Sequence, residues 1–143
     1  MFFGFNSFEG LPEDWVTGGK SAGSYKTTSG SLGNLDSRVT LVPGWFNESI
    51  PRFFSDSRIF PESVRIVMFD ADLFSSTVVA LAGTTMNEPD SAQLWIFDEF
   101  VPEEARALEV FVKGFGLRVT PIASDKRHMH VAFRVESPLP AQP

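Results

Sequence analysis

The sequence predicts an α/β fold: an open, mostly parallel sheet with helices between its strands and an antiparallel hairpin at its end. Three observations predict it. Apolar, strand-like runs alternate with helix-like segments along the chain, the pattern of βα units. Two of those runs, 64–69 (VRIVMF) and 94–97 (LWIF), are nearly continuous in apolar residues, as strands buried on both faces of a parallel sheet are. The last two strand candidates, 117–122 and 129–135, stand close together around the polar turn 124–127 and read as a hairpin.

The elements follow in order. Residues 2–5 form a short aromatic strand. Residues 10–33 are rich in Gly, Ser and Thr and lack periodicity, so they read as a surface loop. It is long for such a connection, which points to a functional lid or a disordered segment. A second strand, 38–42 (RVTLV), is stopped by Pro43-Gly44, and a short helix over 47–54 has its start limited by Pro51. After the strand 64–69, a helix runs from Leu73 to about Met86 with Asp72 as its N-cap, and 87–91 (NEPDS) is a turn. Beyond 94–97 comes the clearest helix, 102–113. Pro102 suits its first turn, Glu103 and Glu104 suit its positive end, and Ala107, Leu108, Phe111 and Val112 make an apolar face that Gly114 terminates. The chain reads as one domain over 1–136 with a loose Pro-rich tail, 137–143.

Composition narrows the function. With 143 residues, 43% of them hydrophobic and 15 of them Phe, the chain has material for a real core. A net charge of −6 repels phosphate backbones and disfavours nucleic acid as a partner. There is no cysteine, which excludes disulfides and thiolate metal sites and fits a reducing cytoplasm. No apolar run is long enough to cross a bilayer, and the opening Met-Phe-Phe-Gly-Phe reads as a strand rather than a signal peptide.

In open α/β sheets, ligands bind beyond the carboxyl ends of the strands. Three polar clusters fall at such ends: Asn6-Ser7, Asp70-Ala71-Asp72 and Asp98-Glu99. If the strands before Asp70 and Asp98 are neighbours, Asp70, Asp98 and Glu99 converge. Carboxylates crowded together repel, and a hard divalent cation such as Mg²⁺ relieves the repulsion with oxygen ligands. The alternative is that these acids cap the following helices, which suits Asp72 best and Asp98 and Glu99 less. His128 and His130 would share a face of the last strand, but no third nitrogen ligand exists, so a solvated rim is the better reading. Tyr25 and Lys26 stand in the long loop, either as lid contacts or as ordinary exposed residues. No GxSxG elbow, P-loop or Cys-His pairing occurs.

Several blocks resemble the TylF/MycF (macrocin O-methyltransferase-like) family. Residues 5–15 (FNSFEGLPEDW) resemble its "FDSFEGLPEDW" stretch. Val42-Pro43-Gly44-Trp45-Phe46 with Ile50-Pro51 resembles "GWFxDTLP", and 69–77 (FDADLFSST) resembles "iDaDLYSST". Residues 96–100 (IFDEF) resemble "vfDEY", and Glu103-Glu104 with Arg106-Ala107 resembles "EExRA". The blocks keep the family's order and span nearly the whole chain. The resemblance implies a Rossmann-like class I methyltransferase sheet of seven strands, the last antiparallel, with S-adenosylmethionine as methyl donor. It implies a small-molecule hydroxyl, on a sugar or secondary metabolite, as acceptor. Asn6, beside Ser7, falls where the family has its ribose-binding Asp, and Asp70, Asp98 and Glu99 fall on its metal-binding acids. No catalytic base is identified. Phe74 replaces the family's Tyr. The family's first strand and Gly-rich donor loop have no counterpart here. In the family that strand lies between the second and fourth, the counterparts of 2–5 and 64–69. The resemblance therefore implies a truncated methyltransferase, a sheet completed by a second copy or partner chain, or direct pairing of those two strands. A non-catalytic binding or assembly module is the competing expectation.

Overall fold

The computed structural model describes residues 1–28, 33–55, 65–86 and 93–136. The expected turn 87–91 and tail 137–143 lie outside them. The chain divides into two compact units, Met1–Asp56 and Ser57–Pro143.

The first unit contains β1 (Phe2–Asn6), β2 (Val39–Pro43) and α1 (Phe46–Phe54). The strands pair in parallel, with Phe2 opposite Val39 and Asn6 opposite Pro43. Helix α1 lays Phe53 edge-on against Phe3 and Phe5, at ring-centroid distances of 4.7 and 5.0 Å, and buries Ile50. Pro51 lies inside this helix rather than at its start. It has no N–H for the carbonyl of Asn47, and the apolar contacts of Ile50 and Phe53 on either side of it offset that loss. The Gly-rich stretch is more ordered than its composition predicts. Trp15 and Lys20 exchange backbone bonds of 2.8 and 3.1 Å, and Leu11 pairs with Ser24 and Gly23 at 2.9 Å. Gly10 adopts φ +85°, and a Cβ there would lie 2.4 Å from the Ser24 carbonyl oxygen. Only glycine allows that approach.

The second unit contains β3 (Arg65–Phe69), α2 (Phe74–Met86), β4 (Gln93–Phe97), α3 (Pro102–Phe115), β5 (Arg118–Ser124) and β6 (Val131–Glu136). Its sheet has the order β3-β4-β6-β5. The β3–β4 pairing is parallel and the other two are antiparallel, so the sheet is mixed and the expected final hairpin is present. β1 and β3 belong to separate sheets, so the direct pairing of those strands does not occur. Pro121 stands in the edge strand β5, where a missing N–H is tolerated, beside a register shift.

One face of this sheet is the core. Phe69, Trp95, Phe97, Val131, Phe133 and Val135 are buried there, Phe69 stacks on Phe97 at 4.9 Å, and Phe111 of α3 sits 6.3 Å from Trp95. The alternate residues of β3 behave differently: Ile66 and Met68 are 65% and 61% exposed. Burial on both faces, expected from the apolar run, is thus found on one face of β3. Helix α3 ends at Gly116, two residues beyond the expected Gly114, because Gly116 takes the left-handed conformation and returns its N–H to the Val112 carbonyl. The fold is α/β. Among the described residues, no helix is long and apolar enough to cross a membrane.

Candidate functional site

The parallel register places Phe69 opposite Phe97 and so brings the residues that follow, Asp70 and Asp98, to adjacent strand ends. The amide of Asp98 donates to the Phe69 carbonyl at 3.0 Å and fixes that junction. Partial burial pushes the pKa of Asp70 up, and the charges of Asp98 and Glu99 push it further. Asp72 is raised in the same way, by burial and then by Asp70 and Glu99. The charges of Asp98 and Glu99 thus reach Asp70. As they stand, no three His, Asp or Glu side chains among the described residues are gathered closely enough to hold one ion.

Asp72 is not the N-cap of α2. Leu73 precedes the helix, and its carbonyl accepts the Thr77 amide at 2.9 Å. Asp72 lies one residue further out, at φ +58°, a conformation that costs a non-glycine residue about 1–2 kcal/mol.

Glu104 was expected only to favour the positive end of α3. It is 1% exposed, and its Oε1 accepts the Ala71 amide at 3.1 Å. The nearby Asp72 amide also favours its charged form. Oε2 is buried without a hydrogen-bond partner among the described residues. Burial, with a smaller contribution from the charges of Asp72 and Asp70, outweighs the two amides and raises the Glu104 pKa to about 7. A signal for this residue exists in the sequence. Glu104, Ala107, Leu108 and Phe111 are spaced i, i+3, i+4, i+7, so the buried stripe of α3 extends back through Glu104.

The histidines do not share a strand face, because β6 begins only at Val131. His128 sits in the preceding turn at φ +56°, with Nδ1 3.1 Å from Ser124 Oγ. His130 lies between two carboxylates, its Nε2 3.7 Å from Asp98 Oδ1 and its Nδ1 3.6 Å from Asp125 Oδ2. The hairpin turn thus borders the acidic group, a neighbour that sequence spacing did not reveal.

Asn6 and Ser7, in the first unit, are engaged in their own turn. Asn6 Oδ1 accepts the Phe8 amide at 2.7 Å, and Ser7 Oγ accepts the Glu9 amide at 3.1 Å while donating to the Gly10 carbonyl at 3.3 Å. Tyr25 is exposed, with the Lys20 ammonium 5.8 Å from its ring centroid, and Lys26 pairs with Glu9. Both behave as ordinary surface residues. Phe74 lies under the Arg106 guanidinium at 4.9 Å.

No protein-family model matches the chain, and no curated protein matches it. The functional reading therefore stands on the site's chemistry and on the blocks of sequence described above.

Proposed function

We propose that the chain is the C-terminal, acceptor-side part of an S-adenosylmethionine-dependent O-methyltransferase of the TylF/MycF type, acting on a hydroxyl of a small sugar-like or secondary metabolite. The observation that carries this reading is the placement of Asp70 and of Asp98-Glu99 at adjacent carboxyl ends of the parallel strands β3 and β4. The strand β6, last in the chain and antiparallel to both its neighbours, is what the resemblance leads one to expect. A cytoplasmic location belongs to the same proposal.

The donor set suits Mg²⁺ in chemistry: Asp70, Asp98 and Glu99 offer only oxygen. Asp70, Asp98 and Glu99 would be the residues to hold such an ion, although they are not gathered around one position as they stand. Such a cation would stabilise the negative charge that develops on an acceptor oxygen. The chain's own residues then have two tasks. The carboxylates would hold the ion and orient the acceptor, and the turn carrying Asp70 and Asp72 would set their spacing.

The methyl donor fits less well. Asn6 Oδ1 and Ser7 Oγ, the candidate donor contacts, already serve the amides of Phe8 and Glu9. No step through the donor is derived from these residues. On this reading its remaining contacts come from polypeptide outside these 143 residues, such as a partner chain or second copy that completes a sheet. The engaged Asn6 also favours a second reading, a non-catalytic methyltransferase-like module that keeps the acidic site.

Calorimetric titration of the full chain with S-adenosylmethionine, with and without Mg²⁺, tests the two. Saturable donor binding strengthened by Mg²⁺ supports the enzyme. Cation binding with no donor binding leaves the module, and a folded chain that binds neither sinks both.

A further inference from the structure

We propose that Glu104 is a positioning residue for the acidic site: its buried carboxylate, bonded to the Ala71 amide that follows β3, holds the Asp70–Asp72 turn so that Asp70 stays beside Asp98 and Glu99. The geometry rests on elements 33 residues apart in sequence, because Glu104 belongs to α3 while its partner amide belongs to Ala71.

The local cost of this arrangement points to its role. Glu104 is the third residue of α3, after Pro102 and Glu103, the position from which a Glu side chain ordinarily turns back to cap its own helix. The N–H of Val101, the residue before the helix, instead donates to the Glu99 carbonyl at 2.7 Å, which leaves the Glu104 carboxylate available elsewhere. The carboxylate instead crosses to another element and is 1% exposed there, where an acid is costly unless it is bonded. The turn it meets carries the left-handed Asp72, a strained conformation for a residue with a Cβ. A buried acid that reaches out of its own helix and a left-handed aspartate next to the amide it bonds are two departures from local preference. Both occur at one contact, which is where a constraint imposed by a site shows itself. The clamp itself stands on the hydrogen bonds. Its consequence for a ligand rests on the cation reading proposed above.

The test compares wild type, Glu104→Ala and Glu104→Gln in the full chain. Glutamine keeps an oxygen that accepts the Ala71 amide, and alanine does not. Two quantities are read: amide exchange of Ala71 and Asp72 by NMR, and affinity for Mn²⁺, the probe used for the divalent cation. The expected result is that Glu104→Ala speeds exchange at Ala71 and Asp72 by at least about tenfold, while the Trp95 and Phe97 amides stay protected. Mn²⁺ binding weakens by about 10- to 100-fold in the same variant, as for other residues that orient ligands, and Glu104→Gln restores most of both. Unchanged exchange at Ala71 and Asp72 in Glu104→Ala overturns the clamp, as does a glutamine variant that rescues nothing. Undiminished Mn²⁺ binding in Glu104→Ala overturns the positioning role alone. A wild type that binds no Mn²⁺ sinks the cation reading, and the exchange data then decide the clamp by themselves.

Discussion

The two units are built from similar aromatic material and put it to different use. In Ser57–Pro143, a four-stranded sheet buries Trp95 and Phe97 completely and packs them with Phe69, Phe111 and Phe133. In Met1–Asp56, two strands pair among the described residues, and Phe53 meets Phe3 and Phe5 edge-on while half-buried. Much of the first unit's order comes from backbone bonds in the 8–28 loop and not from a core. Two-stranded sheets are marginal by themselves, whereas four strands with a covered apolar face are self-sufficient. The lesson concerns the site as well as stability. The acids lie in the unit with the larger core, at the ends of paired strands, and the Asn6-Ser7 turn lies in the unit with the smaller one.

The largest expected effect tests that contrast directly. Trp95→Ala removes a fully buried ring and should cost about 3–5 kcal/mol in urea unfolding. Phe53→Ala removes a half-buried ring and should cost about 1–2 kcal/mol. Amide exchange locates the damage: Trp95→Ala should release the strands β3 to β6 and leave the β1–β2 amides as they were. Equal loss in both sheets would show that the two units unfold as one body.

The next effect is a pH dependence confined to the second unit. Asp70, Asp72 and Glu104 all have raised pKa values, chiefly from burial. For Glu104 the rise is from 4.5 to about 7. Between those values the unfolded chain has lost a proton that the folded chain keeps. The stability this gives is fully present below about pH 4.5 and is lost as pH rises through about 7. Glu104→Gln abolishes the titration. The stability gap between it and wild type should therefore move in the variant's favour by up to about 3 kcal/mol from pH 4 to pH 8. A gap that stays constant with pH would show that Glu104 titrates like an exposed acid.

Much of the second unit was legible in the sequence, and the exceptions have physical reasons. The runs 64–69 and 94–97, the helix opened by Pro102 and the closing hairpin follow from periodicity and end signals. The exposure of Ile66 and Met68 does not, because an apolar run states that a face wants cover and not what covers it. The true start of β6 was hidden for another reason. Asp125 Oδ1 accepts the amides of Met129 and His130 at 2.8 and 3.2 Å, which draws both into the turn and brings His130 to Asp98. Glu104 was passed over because a Glu in the first turn of a helix is usually solvated, although its place on the apolar stripe of α3 marks it as buried. In the first unit, composition misled more strongly. A Gly- and Ser-rich stretch reads as loose, yet at Gly10 backbone closes on backbone.

That last point gives a smaller prediction. Gly10→Ala places a Cβ 2.4 Å from the Ser24 oxygen at φ +85° and should destabilise the first unit by about 2 kcal/mol. Faster exchange at Leu11 and Gly23 is the readout. A loop that keeps its protection would show that its order does not depend on that contact.

The smallest expected effect is at Asn6. Its Oδ1 accepts the Phe8 amide at 2.7 Å, and an aspartate in the same place offers an equivalent oxygen to the same N–H. Asn6→Asp should therefore change stability by less than about 0.5 kcal/mol, whereas Asn6→Ala, which leaves the Phe8 amide without its acceptor, should cost about 1 kcal/mol. The near-neutral variant is useful because it separates the turn from the donor. Aspartate adds a second oxygen and a charge that the turn does not need, and a ribose hydroxyl pair does. If Asn6→Asp leaves the melting curve in place and confers or strengthens S-adenosylmethionine binding, the turn is a donor-site remnant that lacks only its acid. If it leaves both unchanged, the Asn6 turn serves the first unit's fold alone.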